Sequence, residues 1–429
     1  MRTTLKMFSS IANSNEFILR HKKKEHYFTR QRKLPFSSLL ALVLRKSVKS
    51  LQLVLNEWCR HHDTSDSITA SALSQARNKF SHTAFIELLD KCVVAPVYER
   101  KHYKRYRGHR LLAIDGSTLH LPTSKELIET FGAVEYRNEA TLASLQVEAK
   151  VAVLYDVLNE IPLSGSLDKA RTNDIKAAAA HLSCLQSGDL LMADRGYSSY
   201  SFFAEIQANN ANYVIRLQNK TYQKYHSLLS SPKQKEAIAE IKRPYKLKKA
   251  THLPESLTIR FIRVCLPDGE VEILATSLLD RKKYPTKEFK KLYYKRWRIE
   301  TFFQTIKSRL AVDNFTGKTA EAVRQDFYAT LFVSGLETIL SNKVNLELSQ
   351  KNTVHKQQVN KAVSFHAIKD RIILLMFDPP QDFEERVREL FLLNPSLQRP
   401  RRIKEKERIS LKTNFRSLHF QKFARKCVF

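Results

Sequence analysis

The chain has 429 residues, 43% of them hydrophobic, enough for about three domains or one large domain with appendages. Lys plus Arg number 73 against 43 Asp plus Glu, and this net charge of +30 points to a polyanionic partner, usually nucleic acid. The longest apolar run, Leu39 to Leu44, stops at Arg45 and Lys46, which excludes a bilayer span or a signal peptide, and the absence of a C-x-x-C pair among five cysteines argues against a disulfide framework or zinc site and fits a reducing cytosol.

Residues 1 to about 35 are polar and basic, with the run His21-Lys22-Lys23-Lys24, and read as a flexible or partly helical arm. Ser38 to Trp58 carries Leu39, Leu42, Val43, Leu51, Val54 and Leu55 at helical spacing. Ser67 to Phe80 and Phe85 to Val97 give two more helical stretches. Three short helices with basic faces suit a DNA-binding module or a plain helical scaffold.

Leu111 to Ile114 is a short apolar run ending in Asp115-Gly116, which reads as a buried strand whose carboxylate emerges at a turn. The alternating stretch Val147 to Asp156 is a half-buried strand, and Ile161 to Leu167 adds a third strand, at an edge because of Pro162. Asn173 to Leu185 is helical. Leu190 to Ala193 repeats the first device, an apolar strand ending in Asp194 with Gly196 following. A helix from Ser201 to about Ala208 and a strand Tyr213 to Leu217 complete the order strand, strand, strand, helix, strand, helix, strand. That order is expected of an RNase H-like mixed sheet with flanking helices. Ser256 to Val264 and Val271 to Leu278 flank Asp268-Gly269 and predict a hairpin within a β-rich insertion at about 221–284. Helices follow at Ala320 to Leu340 and Ala362 to Phe377, with a polar loop at Asn342 to Asn360. The tail from Arg399 to Lys426 holds eleven Lys or Arg against Glu405 and Glu407. The domains expected are a helical region with a basic arm at 1–100, an RNase H-like core at 101–345, and a helical region with a basic tail at 346–429.

Tyr293 to Lys307, YYKRWRIETFFQTIK, has no Gly or Pro and predicts one continuous helix. At about 100° per residue, Tyr293, Arg296, Glu300 and Lys307 share an arc of about 60°, with Ile299, Phe303, Ile306 and Leu310 beside them. One flank can enter a core while the other presents a carboxylate among a phenol, a guanidinium and an ammonium. Such a set suits phosphoryl transfer on nucleic acid, and it equally describes a solvated face with an i, i+4 Arg–Glu pair.

The spacing Y-x2-R-x3-E-x6-K, filled by Tyr293, Arg296, Glu300 and Lys307, resembles the signature of IS4-type DDE transposases. Ile114-Asp115-Gly116-Ser117 and Ala193-Asp194-Arg195-Gly196-Tyr197 resemble that family's first and second acidic motifs, and SITASALSQARNKF (67–80) resembles its N-terminal region. The resemblance implies an α/β chain with an N-terminal helical domain, an RNase H-like core and a β-rich insertion. It implies Asp115, Asp194 and Glu300 as catalytic residues and ligands of two Mg²⁺ ions, with Mn²⁺ as substitute. It also implies DNA contacts from Tyr293, Arg296 and Lys307, cleavage at terminal inverted repeats, joining to target DNA, and a homodimer in the synaptic complex, in the cytoplasm of a bacterium and associated with the nucleoid. Asp156 and Asp174 are rival second acids. Tyr222, Tyr225, Tyr245 and Tyr284 are the aromatics of the insertion region that could hold a flipped base, should a DNA hairpin form. The rival functions are a domesticated DNA-binding protein without activity and an RNase H-like nuclease that does not join ends.

Overall fold

A computed structural model describes residues 2–30, 33–47, 49–61, 67–99, 103–138, 141–218, 234–266, 270–377 and 380–398. Tyr222, Tyr225, the Asp268-Gly269 turn and the basic tail from Arg399 lie outside the described residues. The chain divides into two compact units: Met1–Pro96, Leu121–Leu127 and Ile306–Phe429 form the first, Val97–His120 and Ile128–Thr305 the second.

The second unit is built on one nine-stranded sheet. Its strands are β1 (Leu111–His120), β2 (Ala133–Asn138), β3 (Thr141–Asp156), β4 (Ile161–Lys169), β5 (Leu190–Ala193), β6 (Asn212–Arg216), β7 (Glu236–Lys242), β8 (Ser256–Cys265) and β9 (Val271–Thr276). β3 runs antiparallel to β1 and β4, while β5 lies parallel to β1 and β6 parallel to β5. The resulting order, β4-β3-β1-β5-β6, is that of an RNase H-like core. Parallel strands are covered on both faces, so β5 reads Leu-Leu-Met-Ala without alternation and all four residues are buried. On one face Leu112, Ile114, Leu191 and Ile215 pack with Phe202, Phe203 and Ile206 of the helix Tyr200–Ala208, where the Phe203 and Tyr213 rings stack 4.7 Å apart. On the other face Tyr155 meets Phe302, with ring centroids 4.7 Å apart.

The segment expected as an insertion is β-rich, and its strands extend this same sheet in the order β6-β9-β8-β7 rather than forming a body of their own. The predicted hairpin is β8–β9, antiparallel from Arg260↔Thr276 to Cys265↔Val271. β2 was not predicted; it pairs with the first half of β3, which begins six residues before the Val147 start read from the alternation.

In the first unit, the expected N-terminal arm is packed helix. Leu5, Phe8 and Ala12 recur at helical spacing along Arg2–Ala12 and are buried, with the Phe8 ring 5.4 Å from Phe332. The stretch from Ser38 to Trp58 forms two helices, Phe36–Arg45 and Leu51–His61. The break comes at Lys46, whose ammonium turns inward to donate to the Val312 carbonyl at 3.1 Å. Arg77, on the expected basic face, is likewise drawn inside. It donates to Asp326 at 2.6 Å, Gln325 at 2.6 Å and the Ala322 carbonyl at 2.8 Å. Those partners lie on the helix Ala320–Gln350, which Thr319 caps by accepting from the Ala322 N–H. The helix continues through the stretch expected as a loop from Asn342, because Leu340, Val344 and Leu348 keep a buried stripe at i, i+4.

Candidate active site

β1 delivers the first acid. Leu111 to Ile114 are wholly buried, which fixes the strand and leaves Asp115 at the point where it emerges beyond β5. The Asp115 Oδ1 accepts from the Gly116 N–H at 2.9 Å. Asp194 follows β5 directly and caps the short 3-10 turn Arg195–Tyr197, accepting from the Arg195 N–H at 2.6 Å. Since Ala113 pairs with Met192 in parallel register, the two acids lie side by side where β5 ends. Asp194 leaves its strand there, but β1 runs on to His120 where a turn at Asp115-Gly116 was expected, because residues 112–120 stay paired with β3.

The helix expected to be continuous is two, Phe289–Tyr294 and Trp297–Ser308. Hydrogen bonds of the i→i−3 kind run through the junction, from Lys295 N to Leu292 O, Arg296 N to Tyr293 O, Arg298 N to Lys295 O and Ile299 N to Arg296 O. This tightening changes the rotation per residue, so the single helical wheel does not describe Tyr293 and Arg296. Both are buried, whereas the exposed side of the junction carries Tyr294 and Trp297. The Tyr293 hydroxyl donates to the Ala193 carbonyl at 3.2 Å and so ties the first helix to the residue before Asp194. Ile299 and Phe303 bury the second helix as the spacing implied, Phe302 is buried as well, and Glu300 stays partly exposed. Lys307 lies in the last turn, part-buried and past the boundary of the second unit.

Arg296 connects two of the acids. It pairs with Glu300 at 2.8 Å and stands 4.0 Å from Asp115. Burial is the main reason that the Asp115 carboxyl is pushed up to about 6, with the Glu300 and Asp194 charges adding and Arg296 and the Gly116 N–H opposing. The three acids picked out by sequence are therefore close enough for the first to respond to the other two. Asp194 is held by Arg216 at the end of β6, with 2.9 Å between a terminal guanidinium nitrogen and Oδ1, and Arg216 also pairs with Glu272. Sequence reading missed Arg216; an arginine closing an apolar strand is the signal that marks it. The rival acid Asp156 is fully buried and accepts from the Tyr98 hydroxyl, the Leu158 and Asn159 N–H groups and the Asn159 side chain. Those bonds commit it to the turn after β3. Asp174 pairs with Lys150 beside Gly116. Of the insertion-region aromatics, Tyr245 is exposed and Tyr284 is buried against His109.

Among the described residues, no group of three His, Cys, Asp or Glu is gathered closely enough to hold a metal ion. Arg296 and Arg216 occupy the carboxylates instead. The donor set still fits a hard divalent cation, since it consists of carboxylate oxygens whose mutual repulsion a cation would relieve. No helix among the described residues is long and apolar enough to cross a membrane.

A family model described as the transposase DDE domain matches residues 106–336, more than half of the chain. A putative transposase, y4zB, of Sinorhizobium fredii is 26% identical over 205 residues, covering 46% of this chain and 56% of that protein. The transposase InsG for insertion sequence element IS4 of Escherichia coli is 22% identical over 273 residues, covering 63% of this chain and 60% of that protein. The chain thus spans less than two thirds of the length of these relatives. A cryo-EM structure of the piggyBac transposase synaptic complex with hairpin DNA aligns with a TM-score of 0.43 at 10% identity, over 96% of this chain and 88% of that one.

Proposed function

The chain belongs to the transposase DDE-domain family, and from that premise we propose that it is an IS4-type transposase which cuts DNA at the inverted-repeat ends of an insertion sequence and joins them to target DNA. The family implies dependence on a divalent metal in general. We assign the metal as Mg²⁺, with Mn²⁺ as substitute, two ions held by Asp115, Asp194 and Glu300. When bound, such a pair of ions activates the attacking oxygen and stabilises the leaving one in an in-line displacement at phosphorus.

The observation that supports this reading most is the electrostatic meeting of Asp115 with Asp194 and Glu300 where β5 ends beside β1. The chain's own residues then divide the work. Asp115, Asp194 and Glu300 supply oxygen donors on a rigid sheet and helix. Arg296 and Arg216 neutralise those acids in the free protein and are suited to bidentate grip of backbone phosphates once DNA arrives. Tyr293 holds the helix junction against β5, so its part in DNA contact is to set the position of Arg296. Lys307 is assigned to the DNA backbone by its motif position. The helices up to about residue 100 are the proposed end-binding region, and a homodimer is the proposed synaptic form, working in the bacterial cytoplasm at the nucleoid.

The decisive experiment is Glu300→Gln, a near-isosteric change at a partly exposed position. Metal-dependent nicking of a duplex carrying the element's ends should fall to background while end binding stays near the wild-type level. Normal nicking by this variant would reject the assignment, and nicking by the wild type without joining of pre-cut ends would favour the nuclease reading.

A further inference from the structure

The Lys150–Asp174 pair lies near the acids, and the mechanism above does not use it. Lys150 projects from β3, and Asp174 opens the helix Asp174–Ala179. A Cβ added at Gly116, the residue after the first acid, would stand 3.1 Å from the Lys150 Cε and 3.1 Å from the Asp174 Oδ1. One added at Gly196, two residues after the second acid, would stand 3.8 Å from the other Asp174 oxygen. The pair therefore lies beside the strand residue after the first acid and reaches the turn after the second. The buried Tyr197 phenol is pushed up chiefly by burial and further by Asp115, Asp174 and Asp194 together, which puts Asp174 in the same electrostatic neighbourhood as the two acids.

The cations of this region differ in freedom. Arg296 is 3% exposed and wedged against the rings of Tyr293 and Trp297, and Arg216 is shared between Asp194 and Glu272. Lys150 has a flexible stem, and its partner carboxylate is 41% exposed to water. With Lys150 19% exposed, the pair is open to water only on the carboxylate side, so its direct contribution to stability is modest and an incoming anion can compete for the ammonium. An ammonium on a four-carbon stem is also a suitable point-charge ligand for a phosphate. We propose that Lys150 is a DNA-contacting residue of the reaction centre, parked on Asp174 in the free protein and passed to a backbone phosphate when a duplex binds. The inference rests on the DNA-cutting reading of the same site.

The test is fluorescence-anisotropy titration of a short labelled duplex of arbitrary sequence across a salt series, with EDTA present so that no cleavage intervenes. The wild type should bind with a steep dependence on salt. Lys150→Gln should weaken binding and reduce the slope of log K against log salt by about 0.9, the contribution of one phosphate contact. Lys150→Arg should restore the slope. Asp174→Asn, which releases the ammonium, should bind at least as tightly as the wild type with an unchanged slope. A Lys150→Gln protein that melts like the wild type but keeps the full slope overturns the Lys150 assignment and leaves the DNA reading intact. So does a folded Asp174→Asn protein that binds more weakly than the wild type, because the pair would then be only a brace; this second arm is read against the wild type and decides even if Lys150→Gln fails to fold. A wild type with no salt-dependent affinity removes the DNA reading and the proposal with it.

Discussion

Replacing Asp115 with asparagine is expected to stabilise the fold at neutral pH while removing an acid proposed for strand cleavage. The carboxyl titrates at about 6 in the folded protein against 3.8 for its ordinary value. Between those values the folded chain holds a proton that the unfolded chain has lost, so stability falls as pH rises through this window. Below about pH 4 both states are protonated and no penalty exists. Above about pH 6 both are ionised and the penalty is complete. A difference of about 2 pKa units at about 1.4 kcal/mol each gives roughly 3 kcal/mol, to be read as an upper bound because the side chain is 22% exposed. Asparagine keeps an oxygen for the Gly116 N–H and carries no charge at any pH. Urea denaturation of the two proteins at about pH 4 and pH 8 should therefore give matching stabilities at the lower pH and an advantage of about 1–3 kcal/mol for the variant at the higher one. An advantage independent of pH, or a variant less stable than the wild type at pH 8, would refute the reasoning.

Other outcomes follow from the packing of the first unit. Gly335→Ala should destabilise despite the roughly 1 kcal/mol gain in helix propensity, since the new Cβ would lie 2.6 Å from a Val93 methyl carbon; Val93→Ala in the same chain should recover most of the loss in thermal melting. Arg77→Met leaves the fully buried Asp326 without its cation and should cost about 3–5 kcal/mol in denaturant titrations, much of it regained when Asp326→Asn is added.

The core strands were legible because burial on both faces leaves a plain mark: Leu111–Ile114 and Leu190–Ala193 are uninterrupted apolar runs, and each stops at an aspartate. Where β1 ends was not legible: it runs on to His120 beside β3, past the Asp115-Gly116 pair that reads as a turn. The tightening at Lys295–Ile299 was not legible, because nothing in Tyr-Lys-Arg-Trp-Arg forbids a regular helix; contacts on the folded sheet decide it. β7 was hidden by its half-exposed, charge-bearing sequence Glu-Ala-Ile-Ala-Glu-Ile-Lys, which resembles a solvated face. The inward turn of Arg77 was not legible either, since its partner, Asp326, lies 249 positions away.

The first unit gathers residues from both sides of the second, and this interleaving governs how the protein can be made. Phe8 and Arg77 leave the ribosome long before Phe332 and Asp326, which complete their surroundings. At about 5–20 residues per second, the roughly 250–320 intervening residues take on the order of 10–60 s to synthesise. For that time the leading helices have apolar faces with no partner, while the sheet can assemble. A nascent chain that stops short of the Ala320–Gln350 helix leaves its leading helices uncovered and exposed to proteases and chaperones.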